Sequence, residues 1–312
     1  MIASSLTACL DGIQARSVDV EADIAAGLPS FSIVGLTDKA VQEARERVRS
    51  AMRNSGFGFP AHRLTVNLAP AELRKEGSAF DLAIAVAILR SSQQPGLDVD
   101  GGGDSRLGDS AFIGELGLDG SVRPVRGALA LSSHLAARGV QRVFAPTANA
   151  VEAAGSGLKV HPVGTLVEVV AHLRGESEIP VQPALAENRE AVPPEVDLSE
   201  IEAQAIPKRA LEIAAAGGHH VLFTGPPGAG KSMLARAFAG LLPDLTTPEA
   251  KEVTTIHSIA GVLRGEGMVR RPPLRSPHHS ISIAGLIGGG ASFRPGDLTL
   301  AQGRVLWSRR RC

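Results

Sequence analysis

VLFTGPPGAGKSMLARAFAG, residues Val221 to Gly240, decides how the second half of the chain is read. Inside it, Gly225 to Ser232 (GPPGAGKS) fits the pattern G-x-x-x-x-G-K-[ST] in full. The apolar run HHVLFTG precedes it and reads as a strand, and SMLARAFAGLL follows and reads as a helix. That strand–loop–helix order is the context the motif requires. Chemistry explains the residue types. Gly225, Gly228 and Gly230 let backbone N–H groups converge on phosphate oxygens. A helix N-terminus adds the positive end of its dipole. Lys231 is expected to reach the β- and γ-phosphates and Ser232 to ligate Mg²⁺, with Pro226, Pro227 and Ala229 completing the loop. ATP with Mg²⁺ is the ligand these residues imply.

Hydrolysis asks for more. A P-loop ATPase needs an acidic residue at the end of a second apolar strand, to hold Mg²⁺ and orient water. After Ser232 the acidic residues are Asp244, Glu249, Glu252, Glu266 and Asp297, and none follows an apolar strand run. Asp244 follows a proline and Asp297 follows RPG. Spacing alone therefore gives a half-built hydrolytic site.

Outward from the loop, the 312 residues suggest two domains. With 44 % apolar and 21 % charged residues, both halves can bury a core. Lys+Arg and Asp+Glu balance at 32 each, so no global basic field advertises nucleic acid. An aromatic content of 3 %, with no Tyr, argues against a base-stacking platform. Cys9 and Cys312 lie at opposite ends and form neither a disulfide framework nor a metal cluster. The N-terminus lacks a basic leader region, and no stretch approaches the ~18 apolar residues of a membrane span. The expectation is a cytoplasmic protein without a membrane partner.

Residues 1–175 alternate between strand and helix patterns. Strands are predicted at RSVDVEADI, SFSIVGL, RLTVNLA, RVFAP and LKVHPV. Helices are predicted at TDKAVQEARERVRSAMRNSG, FDLAIAVAILRSS, RGALALSSHLAARG, ANAVEAAG and TLVEVVAHLRG. Thr37 or Asp38 caps the first helix, Glu43 and Arg47 pair along it, and Gly56 ends it. Arg45, Arg47 and Arg49 read as its solvated face, paired with Glu43 and Glu46. QQPGLDVDGGGDSRLGDS reads as a surface loop, and AFIGELGLDGSVRPV as a hairpin turning at Asp119-Gly120. Residues 176–196, rich in Pro and Glu, read as a linker to a second domain over 197–312.

Three long stretches carry a family resemblance: GLPSFSIVGLTDKAVQEARERVRSAMRNSGFGFPAHRLTVNLAPAELRKEGSAFDLAIAVAIL, KRALEIAAAGGHHVLFTGPPGAGKSMLA and RRPPLRSPHHSISIAGLIGGGASFRPGDLTLA. They resemble the YifB/ComM family of magnesium-chelatase-like AAA+ ATPases, over nearly the whole chain to Ala301. The resemblance implies an α/β protein: a Lon-protease-like α+β domain (ribosomal S5 domain 2-like), then a P-loop AAA+ domain. It further implies a homo-oligomeric, hexameric ring in the full-length form, a DNA-dependent motor for branch migration. A chelatase motor for metal insertion and a non-hydrolysing nucleotide-binding module are the alternatives. The family's second apolar strand ends in GVLFLDE. Here the chain reads AQGRVLWSRRRC: Val305, Leu306 and Trp307 match the strand, and Arg309 and Arg310 stand where Asp and Glu belong. Arginines there would repel Mg²⁺. The expectation is an AAA+ domain incomplete before its hydrolytic acids, from a truncated or frameshifted gene, binding ATP with essentially no turnover.

The Lon resemblance raises peptidase chemistry, which needs a serine with a lysine amine beside it. In KEGSAFD, Ala79 takes the nucleophile position and Ser78 stands one residue early; Leu129 falls at the lysine position. A Lon-type protease is therefore not expected. His278 and His279 are adjacent, which suits zinc chelation poorly; His219 and His220 read as packing residues. Arg270, Arg271 and Arg275 form a basic cluster, either a solvated face or a DNA contact. GLIGGGASFRPG, with Gly288 to Gly290 in tandem, suits a mobile loop or a plain hairpin.

Overall fold

The computed structural model describes residues 2–36, 38–92, 97, 105–184, 196–263, 267–289, 294–302 and 305–308. It divides into two compact units: residues 1–186 with 258–267, and residues 187–257 with 268–312. The expected linker lies mostly in residues 185–195, outside the described part, as does much of the expected surface loop after Ser92.

The first unit is built on one seven-stranded sheet. Its strands are β1 (Ile2–Asp11), β2 (Gln14–Ala25), β3 (Ser30–Val34), β4 (Arg63–Ala69), β5 (Ser110–Phe112), β8 (Arg142–Pro146) and β9 (Lys159–Val163). A small antiparallel hairpin, β6 (Glu115–Leu116) with β7 (Val122–Arg123), stands apart from it. The spatial order is β3-β4-β2-β1-β5-β8-β9. Pairs β3/β4, β1/β5, β5/β8 and β8/β9 are parallel; β1/β2 and β2/β4 are antiparallel. This mostly parallel sheet is the α/β class expected. Helices α1 (Lys39–Asn54), α2 (Asp81–Ser91), α3 (Ser105–Gly108), α4 (Ala128–Ala137), α5 (Thr147–Ala154) and α6 (Leu166–Leu173) complete the unit.

Alternation explains the layering. On β4 the pattern eBiBiBi buries Leu64, Val66 and Leu68 on one face. Those residues join Val18, Val20, Val41, Val48 and nearly all of α2 in one core. A second cluster joins Ala8, Ala111, Ile113, Leu131, Leu135, Val143 and Val160. Because α2 is apolar on every side, it is buried along its whole length, as an all-round hydrophobic helix must be.

The long first strand was not foreseen. IASSLTACLD carries small and hydroxyl residues where a clear alternation would carry branched ones, yet Ser5 and Thr7 are buried there. Ser5 Oγ reaches the Ala83 carbonyl at 2.8 Å. The strand is held by ten consecutive register pairs with β2.

Along α1, Asp38 is the cap: its Oδ1 accepts from Val41 N at 2.8 Å. The expected Glu43–Arg47 pair gives way to a different one. Arg47 donates twice to the buried Asp81 carboxylate, at 2.6 and 3.0 Å. An ionised carboxylate inside a core must find a cation, so Asp81 draws Arg47 inward. Lys39 pairs with Glu43 instead, at 3.6 Å. The solvated face expected of Arg45, Arg47 and Arg49 is not formed: Arg49 is half-buried, 3.7 Å from Glu46 and with its guanidinium 5.3 Å from the Phe59 ring centre, and Arg45 is half-buried and donates to the Gln42 and Phe31 carbonyls. The hairpin turns at Asp119-Gly120 as expected, with Gly120 at φ +86 and Gly117 N donating to Ser121 O.

The second unit contains α7 (Ala205–Gly217), α8 (Lys231–Leu241), most of α9 (Thr247–Ala260), α10 (Ile283–Ile287) and α11 (Asp297–Leu300). Two-residue strands pair β10 (Leu274–Arg275) with β13 (Val305–Leu306) in parallel, and β11 (Gly288–Gly289) with β12 (Arg294–Pro295) antiparallel. Its core is small: Ile201, Leu211, Leu234 and Ala237, with Val196, Phe223 and Phe238 packed against them.

Candidate functional site

The phosphate-loop residues are brought together at the start of α8. Gly225, Gly228 and Gly230 have φ of +152, +84 and +76, the region that suits glycine and strains other residues. A Cβ at Gly228 or Gly230 would meet nothing within 4 Å, so the conformation, rather than crowding, demands glycine there. Gly230 is the N-cap of α8, in the left-handed region, and no side chain caps the helix. The N–H groups of Lys231 and Ser232, at the very start of the helix, have no intrahelical carbonyl to bond and point to a ligand. Met233 N and Leu234 N both turn back to the Gly230 carbonyl at 3.0 Å. Pro226, Pro227 and Gly228 are exposed, while Ala229 is half-buried.

Lys231 folds back over the loop. Its Nζ donates to the carbonyls of Gly225 at 2.7 Å and Pro226 at 2.6 Å. The ammonium is thus centred on the arc of the loop, where an anion with better acceptors can exchange for those carbonyls. Ser232 follows in the first turn, half-buried. Behind the loop, Leu234 and Ala237 of α8 seat the helix against Leu211 of α7. These residues fit a polyphosphate with its cation: glycine-permitted N–H groups, an uncapped helix start, one amine and one hydroxyl.

The strand expected ahead of the loop is not formed. Among the described residues, none of His219 to Gly225 joins a sheet. Leu222 is 87 % exposed. A strand exists only with a neighbour to complete its hydrogen bonds, and β13 pairs with β10 instead. Between this segment, α8 and β13 lies a cleft of about 700 Å³, lined by Val221, Phe223, Phe238, Leu306 and Trp307 among others. Phe223 and Trp307 face each other edge-on with centroids 5.9 Å apart. His219 and His220 are exposed on that cleft and do not pack into a core as expected.

Val305 and Leu306 form a strand as expected; Arg309 and Arg310 lie outside the described residues. Asp297 is engaged with Arg275 at 3.5 Å, so that arginine of the expected basic cluster is partly neutralised. Within the glycine-rich segment, Gly288 and Gly289 pair antiparallel with Pro295 and Arg294, Gly288 at φ +100 and with its partner backbone too close for a Cβ; residues 290–293, where the segment would be a loop or a hairpin turn, lie outside the described residues. His278 and His279 are exposed with ring centroids 4.0 Å apart, and His278 Nδ1 lies 2.7 Å from Ser280 Oγ. Among the described residues there is no group of three His, Cys, Asp or Glu side chains placed to hold a metal.

Ser78 Oγ donates to Glu115, and Glu115 stands 3.9 Å from Arg123. Lys75 is buried and donates to the Pro70 carbonyl. Leu129, at the position aligned with a lysine, is fully buried in the core. Asp81, beside this turn, is the group sequence reasoning missed. Burial pushes its carboxyl up to about 6, against the opposing pull of Arg47 and the Leu116 N–H. The one available signal was an acid at the first position of an otherwise apolar helix.

No helix among the described residues is long and apolar enough to cross a membrane. The family model for subunit ChlI of Mg-chelatase matches residues 20–149, and that for magnesium chelatase, subunit ChlI, matches residues 197–308. An uncharacterized protein of Mycobacterium tuberculosis is 42 % identical over 301 residues, covering 95 % of this chain and 58 % of its own length. Competence protein ComM of Haemophilus influenzae is 41 % identical over 301 residues, 95 % of this chain and 57 % of its own. YifB of Escherichia coli, itself uncharacterized, is 40 % identical over 300 residues, with the same two shares. The chain thus spans less than three fifths of the length of these relatives.

Proposed function

Since the chain belongs to the magnesium-chelatase-like family that includes ComM and YifB, we propose that it binds ATP·Mg²⁺ through Gly225 to Ser232. The observation that carries this reading is the glycine-permitted loop closing on Lys231 at an uncapped helix start. In that reading Lys231 leaves the Gly225 and Pro226 carbonyls to meet the β- and γ-phosphates. The N–H groups of the loop donate to the phosphate oxygens, and the Ser232 hydroxyl holds the cation. In this reading residues 1–175 form the first domain, 176–196 the linker and 197–312 belong to an AAA+ domain.

The Haemophilus relative is named a competence protein, which favours the DNA-dependent motor of the family resemblance, and a cytoplasmic, homo-oligomeric ring goes with that reading. Arg309 and Arg310 in the place of the acidic pair support nucleotide binding by this chain without appreciable turnover. The family models' own description supports the second reading, a chelatase-type motor. Titration calorimetry with ATP and Mg²⁺ tests the core of the proposal. Lys231→Ala is expected to raise Kd about 100-fold, near 2.7 kcal/mol, and unchanged affinity in that variant would remove the assignment. DNA-stimulated phosphate release by a protein of the relatives' full length separates the two motors, because a chelatase motor has no reason to respond to DNA.

A further inference from the structure

At the edge of the first unit two histidines read both polar groups of a single residue. His161 is on β9 and His172 is on α6, each 6 % exposed. Their rings stand 4.9 Å apart, and Phe144 lies 5.0 Å from one and 5.4 Å from the other. His161 Nδ1 is 2.9 Å from the Ile179 carbonyl. Ile179 N donates to His172 Nδ1 at 3.0 Å.

These two contacts fix opposite tautomers. A carbonyl oxygen only accepts, so His161 must carry its proton on Nδ1. An amide N–H only donates, so His172 must leave Nδ1 bare. His161 Nε2 is then a buried lone pair, without a hydrogen-bond partner among the described residues. The segment so held is the one that leaves the unit. After α6 it turns through Glu176 N to Ala171 O, and Gln182 N then donates to Val160 O on β9 at 2.8 Å. It therefore covers the free edge of the outermost strand, with Ile179 packed on the core.

We propose that His161 and His172 form a proton-operated clamp on Ile179, which holds the strap of residues 176–182 against β9. Protonation of His172 places an N–H against the Ile179 N–H, donor against donor, and the strap loses its hold. Protonation of His161 leaves its Nδ1–H bond intact but buries an unpaired N–H and a charge. Burial, with Arg142 and Lys159 nearby, pulls the His161 pKa below its ordinary value. A second cation 4.9 Å from the first is opposed further, so the pair takes up one proton before it takes up two. The charged residues of α6 and of the strap are Glu168, Arg174, Glu176 and Glu178, and His172 has a further interaction besides the one with Ile179. Glu168 accepts from Gly164 N at 2.8 Å, and Arg174 lies 3.7 Å from Glu176.

Hydrogen exchange on this chain, corrected for intrinsic rates, tests the clamp. Between about pH 7.5 and about pH 5.5, protection of the Ile179 amide is expected to fall by up to about tenfold per pH unit once His172 titrates. In His172→Asn the amide oxygen takes the place of Nδ1 and does not titrate, so protection is expected to be flat with pH. A flat wild-type profile, or a parallel fall in His172→Asn, overturns the proposal. Imidazole ¹⁵N shifts of the unaltered chain give an independent check. His172 is expected to be protonated on Nε2 and His161 on Nδ1 at neutral pH, and the reverse assignment overturns the clamp as well.

Discussion

The two units solve the burial problem to different degrees. In the first, β2 buries Val18, Val20 and Ala22 completely and is paired along both edges. In the second, the segment before the phosphate loop leaves Val221 and Leu222 exposed and pairs with nothing among the described residues. Yet the loop itself is fully formed. The difference separates local from non-local encoding. Three glycines, a helix start and one lysine specify the loop within eight residues, so it needs no sheet to take shape. A strand needs neighbours from elsewhere in the chain, and nothing local can supply their hydrogen bonds.

Substitutions can break this contrast. The largest effect is expected at the buried ion pair. Arg47→Met leaves Asp81 as an unpaired charge in the core and should destabilise the first unit by about 3–5 kcal/mol, measured by urea denaturation. A loss under 1 kcal/mol would mean that the pair contributes little beyond its shape. Next, Leu64→Ala removes a fully buried side chain from the first core and should cost about 2–5 kcal/mol. Leu222→Ser, at a site 87 % exposed, should stay within about 0.5 kcal/mol. A large cost at Leu222 would show that the segment is buried in solution and would erase the contrast between the units.

Proton linkage sharpens the same comparison. Asp81 has a folded pKa of about 6, above its ordinary value of 3.8. The folded state therefore binds the extra proton, and this contribution is full below pH 3.8 and lost as pH rises towards about 6. Denaturation midpoints of Asp81→Asn should lack that part of the slope. His161 acts with the opposite sign: its pKa is lowered from 6.5, so its contribution is full above that value and lost as pH falls.

Much of this was legible in the sequence, for reasons that differ by residue. The runs RLTVNLA and LKVHPV alternate cleanly, and both became strands of the main sheet. Asp38 announced the start of α1 because a cap acts within three residues. What escaped was non-local. Arg47 and Asp81 are 34 positions apart, so the helix-local pairing with Glu43 looked equally good. The first strand escaped because its buried positions hold Ser5, Thr7 and Ala8, which carry little apolar signal. The strand before the phosphate loop was read from apolar content alone, which records a wish to be buried and not a partner to be buried against. His161 and His172 showed no pattern at all, since their spacing has meaning only once β9 and α6 are packed together.

Hydrogen exchange across Gly225 to Leu234, with and without ATP and Mg²⁺, tests the central claim most directly. The account expects the amides of Gly228 to Met233 to gain protection on addition of the nucleotide, with Lys231→Ala abolishing the gain, while the buried strands β2 and β4 stay unchanged. Protection that never appears in the loop, or that persists in Lys231→Ala, would contradict it.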